Sequence, residues 1–261
     1  MLRPLLALSL LLPSAALADR GEEPAEVPIK VPSPVPVGIL AAWKPTILSV
    51  RVDSGAGAQF GSDKFQPLRG LLRYTSTLFG EKLLARAEVE GGQFQSDDQA
   101  PLRGSNGFDL TARALGGTAT RISPGFTITA SAGFLTRYQR GRAATGAPRI
   151  GLFGVTSNME LEYRIAPALT ISAYVEGGLA PFSYDSQPNL GVLSDASEFR
   201  VRLQLSFDLT PTSAVDVGYD FTRWHAAFTS SSVFNPAGTA DRALLIEARE
   251  HALTLGFRWK P

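Results

Sequence analysis

The sequence predicts an all-β chain closed into a transmembrane, antiparallel, up-and-down barrel of about ten strands. Three observations predict it: a two-residue alternation of apolar and polar side chains recurs through the chain, long and short connections alternate, and no apolar run, that of Leu5 to Leu12 included, is long enough for a membrane helix. A bilayer helix needs about 20 consecutive apolar residues. A chain that crosses without one must close its strands into a barrel, because lipid offers no partner for a free backbone edge.

The alternation is clearest from Phe199 to Thr210, FRVRLQLSFDLT, where Phe199, Val201, Leu203, Leu205, Phe207 and Leu209 alternate with Arg200, Arg202, Gln204, Ser206 and Asp208. Successive strand side chains point to opposite faces, so one face is wholly apolar and the other carries both signs of charge. The same reading gives strands at Leu48 to Val52, Leu72 to Leu78, Leu83 to Val89, Phe108 to Ala114, Phe126 to Phe134, Met159 to Ile165, Leu169 to Val175, Val215 to Phe221 and Leu253 to Trp259. In about eight of the ten, charges share one parity. Arg or Lys at the bilayer midplane costs roughly 2 to 4 kcal/mol, so the apolar parity is expected to face lipid and the charged parity the lumen.

That rule assigns seventeen charges to the lumen: Arg51, Arg73, Arg86, Glu88, Glu90, Asp109, Arg113, Glu160, Glu162, Arg164, Glu176, Arg200, Arg202, Asp208, Asp216, Asp220 and Arg258. Eight strands leave an interior just filled by side chains, and sixteen to eighteen leave an open channel. A ten-stranded lumen is therefore expected to be largely closed by paired charges, with a narrow ion or solute pore as the alternative.

Short turns are expected at residues 79–81, about 117–125, 166–167 and 210–212, and longer polar loops near 54–66, 92–106, 139–150, 179–196 and 226–244. Five long loops against four short turns place both ends of the barrel on the side of the short turns. This resembles bacterial outer-membrane β-barrel proteins of the small OmpA-like and porin-like kind. The last strand, HALTLGFRW, is similar to their C-terminal insertion signal, except that Lys260 and Pro261 follow the aromatic Trp259. The resemblance implies periplasmic turns, extracellular loops and a Gram-negative cell-envelope location.

Residues 1–18, MLRPLLALSLLLPSAALA, read as a cleaved signal peptide, with Arg3 before a leucine run and Ala16-Leu17-Ala18 as the small-residue site. Residues 19–42 form a Pro-rich periplasmic segment with polyproline character, and the barrel is expected over residues 43–261.

Composition narrows the function. The net charge is +1, which argues against nucleic acid as a partner. Outer-membrane lipid and other envelope proteins are the candidate partners. With two histidines and no cysteine, no metal site and no cofactor are expected. Ten-stranded outer-membrane proteases use Asp and His at the external rim, for which this chain offers Asp97-Asp98 and His225. Arg223, not an acid, stands two residues before His225, and no Ser or Asp lies at a recognisable spacing, so no catalytic residues are assigned. Loop recognition is expected to rest on the aromatics Phe182 and Tyr184 in 180–197 and Phe234 in 230–242. The combined expectation is a non-enzymatic structural or partner-binding barrel, with a porin-like channel as the alternative and a hydrolase as the remote one.

Overall fold

The computed structural model describes residues 37–53, 59–79, 83–95, 106–141, 149–184, 191–229 and 244–260. The signal peptide and most of the Pro-rich segment, with Asp97-Asp98 and Phe234, lie outside the described residues. The barrel belongs to the unit Ser33–Pro261.

Its strands are β1 (Gly38–Trp43), β2 (Thr46–Asp53), β3 (Gln59–Gln66), β4 (Arg69–Leu78), β5 (Leu83–Gln95), β6 (Asn106–Ser123), β7 (Phe126–Gly141), β8 (Ile150–Ala166), β9 (Leu169–Ser183), β10 (Val192–Thr210), β11 (Ser213–Thr229) and β12 (Leu244–Trp259). Every pairing is antiparallel. β1 and β2 follow one another along a single stave against β12, and β3 and β4 form the next, so the twelve segments make a closed ten-stranded barrel. Closure is direct: Ile39 pairs with Trp259 and Ala41 with Phe257, which puts both ends of the barrel at one rim.

The two broken staves have a local cause. Pro45 and Pro67 sit at the interruptions, and proline has no N–H to give to a ladder. The backbone is carried across by Lys44 N–H to the Arg69 carbonyl at 2.9 Å, Leu253 N–H to the Pro45 carbonyl at 3.1 Å and Gln93 N–H to the Leu68 carbonyl at 3.3 Å.

Four boundaries differ from the sequence reading. Gly38–Ala42 belong to the first strand, not to the Pro-rich segment, because their partners on β4 and β12 complete the cylinder. Gln59–Gln66, expected as loop, is a strand paired with β2. β6 continues through the Gly116-Gly117 pair to Ser123, where a two-residue turn, Pro124-Gly125, leads into β7. Strands also run well past their expected loop ends, as β11 does to Thr229. The small and polar stretches carry no clear alternation, and beyond Thr222 on β11 the apolar parity changes face, but cross-strand backbone bonds extend the strands all the same.

These extensions change the dimensions. β6 to β12 run 15 to 19 residues each. At about 3.3 Å per residue and a tilt near 40°, they rise roughly 38 to 48 Å, against an apolar band of about 25 Å. The wall therefore projects beyond the band.

Along β11 and β12 the projection is visible in the side chains. Near the turns, outward positions are Val215, Val217, Tyr219 and Phe221 on β11, facing Phe257, Leu255, Leu253 and His251 on β12. Toward the loops the outward positions become Arg223 and His225 opposite Arg249 and Glu247. Inward positions make the reverse change: Asp216, Asp220 and Thr222 give way to Trp224, Ala226 and Phe228. The resulting apolar core lies inside the loop end of the barrel and includes Leu48, Ile150, Leu152, Trp224, Phe228 and Ile246.

At the loop end of β8, a register shift leaves Gly154 opposite the chain between Leu179 and Phe182. A Cβ at Gly154 would come within 1.9 Å of the Leu179 carbonyl oxygen. Gly154→Val is expected to lower stability by about 1 to 3 kcal/mol through this overlap, read as an earlier midpoint in urea unfolding of the lipid-reconstituted barrel.

Candidate functional site

Among the described residues, ionisable side chains are concentrated in the mid-lumen. Eight basic and nine acidic side chains are buried among the described residues, so the interior is close to neutral. They arrive there by register: Arg200 pairs across β10 and β9 with Glu176, and Arg202 across β10 and β11 with Asp220, so opposite charges already lie side by side on the inner wall.

Arg200 is the centre. Its guanidinium donates through Nε to Asp220 Oδ1 at 2.9 Å, through Nη2 to Asp220 Oδ2 at 2.5 Å and Glu90 Oε2 at 2.9 Å, and through Nη1 to Glu88 Oε1 at 2.5 Å. Asp220 and Glu90 also take Lys44 Nζ, at 3.3 and 2.5 Å. Glu88 accepts Arg73 Nε at 2.8 Å, and Arg202 Nε reaches Asp220 at 3.0 Å.

Arg113 links this centre to a second cluster. It donates to Glu90 at 2.8 Å and Glu176 at 2.9 Å, and also to Glu198. Glu176 further accepts the Thr156 and Tyr174 hydroxyls, each at 2.7 Å. Arg137 then joins Glu198 at 2.8 Å to Glu250 at 3.0 Å, and Arg69 joins Glu250 at 3.2 Å to Asp109 at 2.5 Å. A continuous chain of charge-assisted bonds thus runs from one wall of the cylinder to the other. Two rings bound it, with Trp224 4.9 Å from the Arg137 guanidinium and Tyr174 5.3 Å from that of Arg202.

Toward the turn end the packing loosens. Arg86 pairs with Glu160 at 2.6 Å, and Arg258 with Asp216 at 2.8 Å. A cavity of about 20 Å³, large enough for one water, lies among Arg73, Arg86, Glu160, Glu162 and Arg258. Arg164 and Asp208 meet at the rim, at 3.6 Å, and Lys260 binds Asp208 at 2.5 Å.

One lumen expectation fails outright. Arg51 is exposed, while Leu48 turns inward on the same strand. β2 occupies the loop end of its stave, where the wall has passed the apolar band and inside and outside exchange character. Arg51 lies across from Glu247, and both belong to the outer surface.

The sequence reading also passed over Lys44, Arg69, Arg137, Glu198 and Glu250, all of which are buried. Extending the two-residue alternation would have found three of them: Arg137 continues Thr127, Thr129 and Ser131, Glu198 precedes Arg200 by two, and Glu250 precedes Thr254 by four. Arg69 likewise precedes Arg73 by four, across the break at Pro67, whereas Lys44 borders Pro45 and carries no such signal.

Phe182, expected in a loop, lies at the end of β9 opposite Phe153; it and Tyr184 just beyond the strand are exposed, and the Thr136 and Tyr184 hydroxyls are 3.2 Å apart. His225 proves to have partners: Ser197 Oγ lies 3.2 Å from Nδ1 and Asp195 Oδ2 2.8 Å from Nε2. The three come from β10 and β11 and meet only through strand pairing. No group of three or more metal-ligating side chains occurs among the described residues.

No family model matches this chain, and no curated protein matches it. Among solved structures it is similar to the outer membrane protease OmpT from Escherichia coli, at 12% identity over 87% of this chain and 97% of that one, with a TM-score of 0.47. It is also similar to the toluene transporter TbuX of Ralstonia pickettii (10% identity, 86% and 90% covered, TM-score 0.36) and to the toluene transporter TodX of P. putida (9%, 88% and 91%, TM-score 0.34).

Removing one partner from the mid-lumen strands the others without water. Asp220→Ala is expected to cost about 3 to 5 kcal/mol, because Arg200, Arg202 and Lys44 lose a shared acceptor. Asp208→Ala at the half-exposed rim is expected to cost under about 1 kcal/mol. Urea unfolding of both variants in lipid vesicles checks the contrast.

Proposed function

We propose that the chain is an integral outer-membrane barrel whose lumen is closed and non-conducting, and which serves the cell envelope as a structural or partner-binding component rather than as a pore. The observation that carries this reading is the Arg200 centre: a guanidinium with no exposed side-chain surface, held by three carboxylates that are themselves bound to Arg73, Arg113, Arg202 and Lys44. An ion crossing this level would have to part several charge-assisted bonds in a medium that strengthens each of them. Above it, the buried apolar side chains around Trp224 and Phe228 offer no ligand to a hydrated ion. In this reading the turns and both barrel ends face the periplasm, and the loops face outward.

A hydrolytic reading has the Ser197–His225–Asp195 contact in its favour. Against it, Ser197 lies on a strand paired on both sides, so the neighbouring backbone donors are engaged in ladders and not turned toward a developing oxyanion. His225 also presents Nδ1, not Nε2, to the serine.

Planar-bilayer recording tests the first reading. The native barrel is expected to give no discrete steps, whereas Arg113→Ser combined with Arg200→Ser, which removes both hubs, is expected to produce conductance. Regular steps from the native protein would overturn the closed lumen. Ester and peptide hydrolysis assays test the second: the closed-barrel reading expects none, and turnover abolished by His225→Ala would replace it.

A further inference from the structure

We propose that the outer wall of β11 and β12, immediately beyond the apolar band, binds the phosphorylated headgroup of a membrane lipid, with Arg223 and Arg249 as the pair that takes the phosphate. The inference requires the barrel to sit in a membrane with its loops outward; it does not require the lumen to be closed.

Strand pairing sets Arg223 directly opposite Arg249. Like charges facing across a ladder destabilise it unless an anion lies between them. One carboxylate does: Glu247 Oε1 accepts Arg223 Nε at 3.0 Å and Arg249 Nη2 at 3.0 Å. Two guanidiniums on one carboxylate leave a positive charge; Arg51, paired in register with Glu247, adds another, which Asp53, two residues further along the same face of β2, offsets. The two other ionisable groups nearest on β10 and β11, His225 and Asp195, are engaged with each other. Both arginine side chains are more than half exposed, at 53% and 56%, and the Glu247 backbone lies two residues toward the loops from the pair. The fork geometry of guanidinium suits phosphate oxygens.

Position identifies the source of the phosphate. One step toward the turns from the arginines, Phe221 and His251 stand opposite one another with ring centroids 5.0 Å apart, and the Tyr219 hydroxyl lies 2.6 Å from His251 Nδ1. This amphipathic shelf has the character of the aromatic girdle that marks a bilayer interface. Below it the outward side chains are apolar without interruption: Leu253, Val217, Leu255, Val215 and Phe257. A phosphate resting on Arg223 and Arg249 therefore has an acyl-compatible track directly beneath it. A free anion would use the arginines and ignore the track; a phosphorylated lipid uses both.

The test uses the full-length barrel in detergent, with binding followed by native mass spectrometry against a bis-phosphorylated, multiply acylated glycolipid, the same glycolipid after phosphatase treatment, and inorganic phosphate. The native protein is expected to retain the phosphorylated lipid and to lose it after phosphatase treatment. Arg223→Gln combined with Arg249→Gln is expected to weaken binding by about tenfold or more, the loss of at least one charge-assisted bond. Arg164→Gln, at the opposite rim, is expected to leave binding unchanged. Heat-modifiable migration in gels confirms that each variant is folded. Equal binding by the double variant, or equal retention of the dephosphorylated lipid, would overturn the proposal. So would displacement by millimolar inorganic phosphate, which would make the patch a free-anion site.

Discussion

Everything in this barrel follows from where charge can be placed. Lipid on the outside excludes Arg200 and Arg202 from one face, and a narrow interior without bulk water requires that both be paired on the other. Each condition is expensive to break: roughly 2 to 4 kcal/mol per Arg turned into the bilayer, and about 3 to 5 kcal/mol per partner removed inside. A register slip of one residue along β10 would violate both at once, because it moves the whole alternation to the wrong face. The network thus specifies register more than it adds stability. A buried ion pair contributes little over a well-packed apolar pair, but it tolerates only one arrangement.

The network also explains why the staves can break without opening the wall. Pro45 and Pro67 remove two backbone donors, yet Lys44 and Arg69, the residues beside the interruptions, are fastened to Glu90, Asp220, Asp109 and Glu250 across the lumen. Side chains hold the first two staves to the rest of the cylinder where the ladder is thinnest. Trp43 Nε1, donating to the Pro67 carbonyl at 2.7 Å, does the same from outside.

A second consequence concerns length. Strands of 15 to 19 residues exceed what the apolar band needs, so the wall has two chemical zones. Within the band, charge is inside and apolar surface outside. Beyond it, water or headgroups lie outside, and the interior is free to become an ordinary hydrophobic core built on Trp224, Phe228 and Ile246. Arg51, Arg223, Arg249 and Glu247 face outward because water or headgroups accept charge there, whereas Arg200, within the band, faces inward because only the lumen offers it carboxylate partners.

The barrel was legible in the order of the residues alone. Their alternation set strand number, the inward placement of Arg200, Arg202, Glu88, Glu90 and Asp220, and the grouping of short turns at one rim, because a two-residue period maps directly onto the two faces of a sheet. How far each strand runs emerged only from pairing, since Gly116-Gly117 and Gln59–Gln66 carry no alternation and are extended by the bonds of their neighbours. Closure of the cylinder decided who meets whom: Arg137 reaches Glu250 and Arg113 reaches Glu198 across a lumen that no local pattern describes. The orientation of Arg51 was beyond the sequence for the same physical reason. Parity tells which residues share a face, but the height of a residue relative to the membrane, which decides what that face meets, exists only once the cylinder has closed.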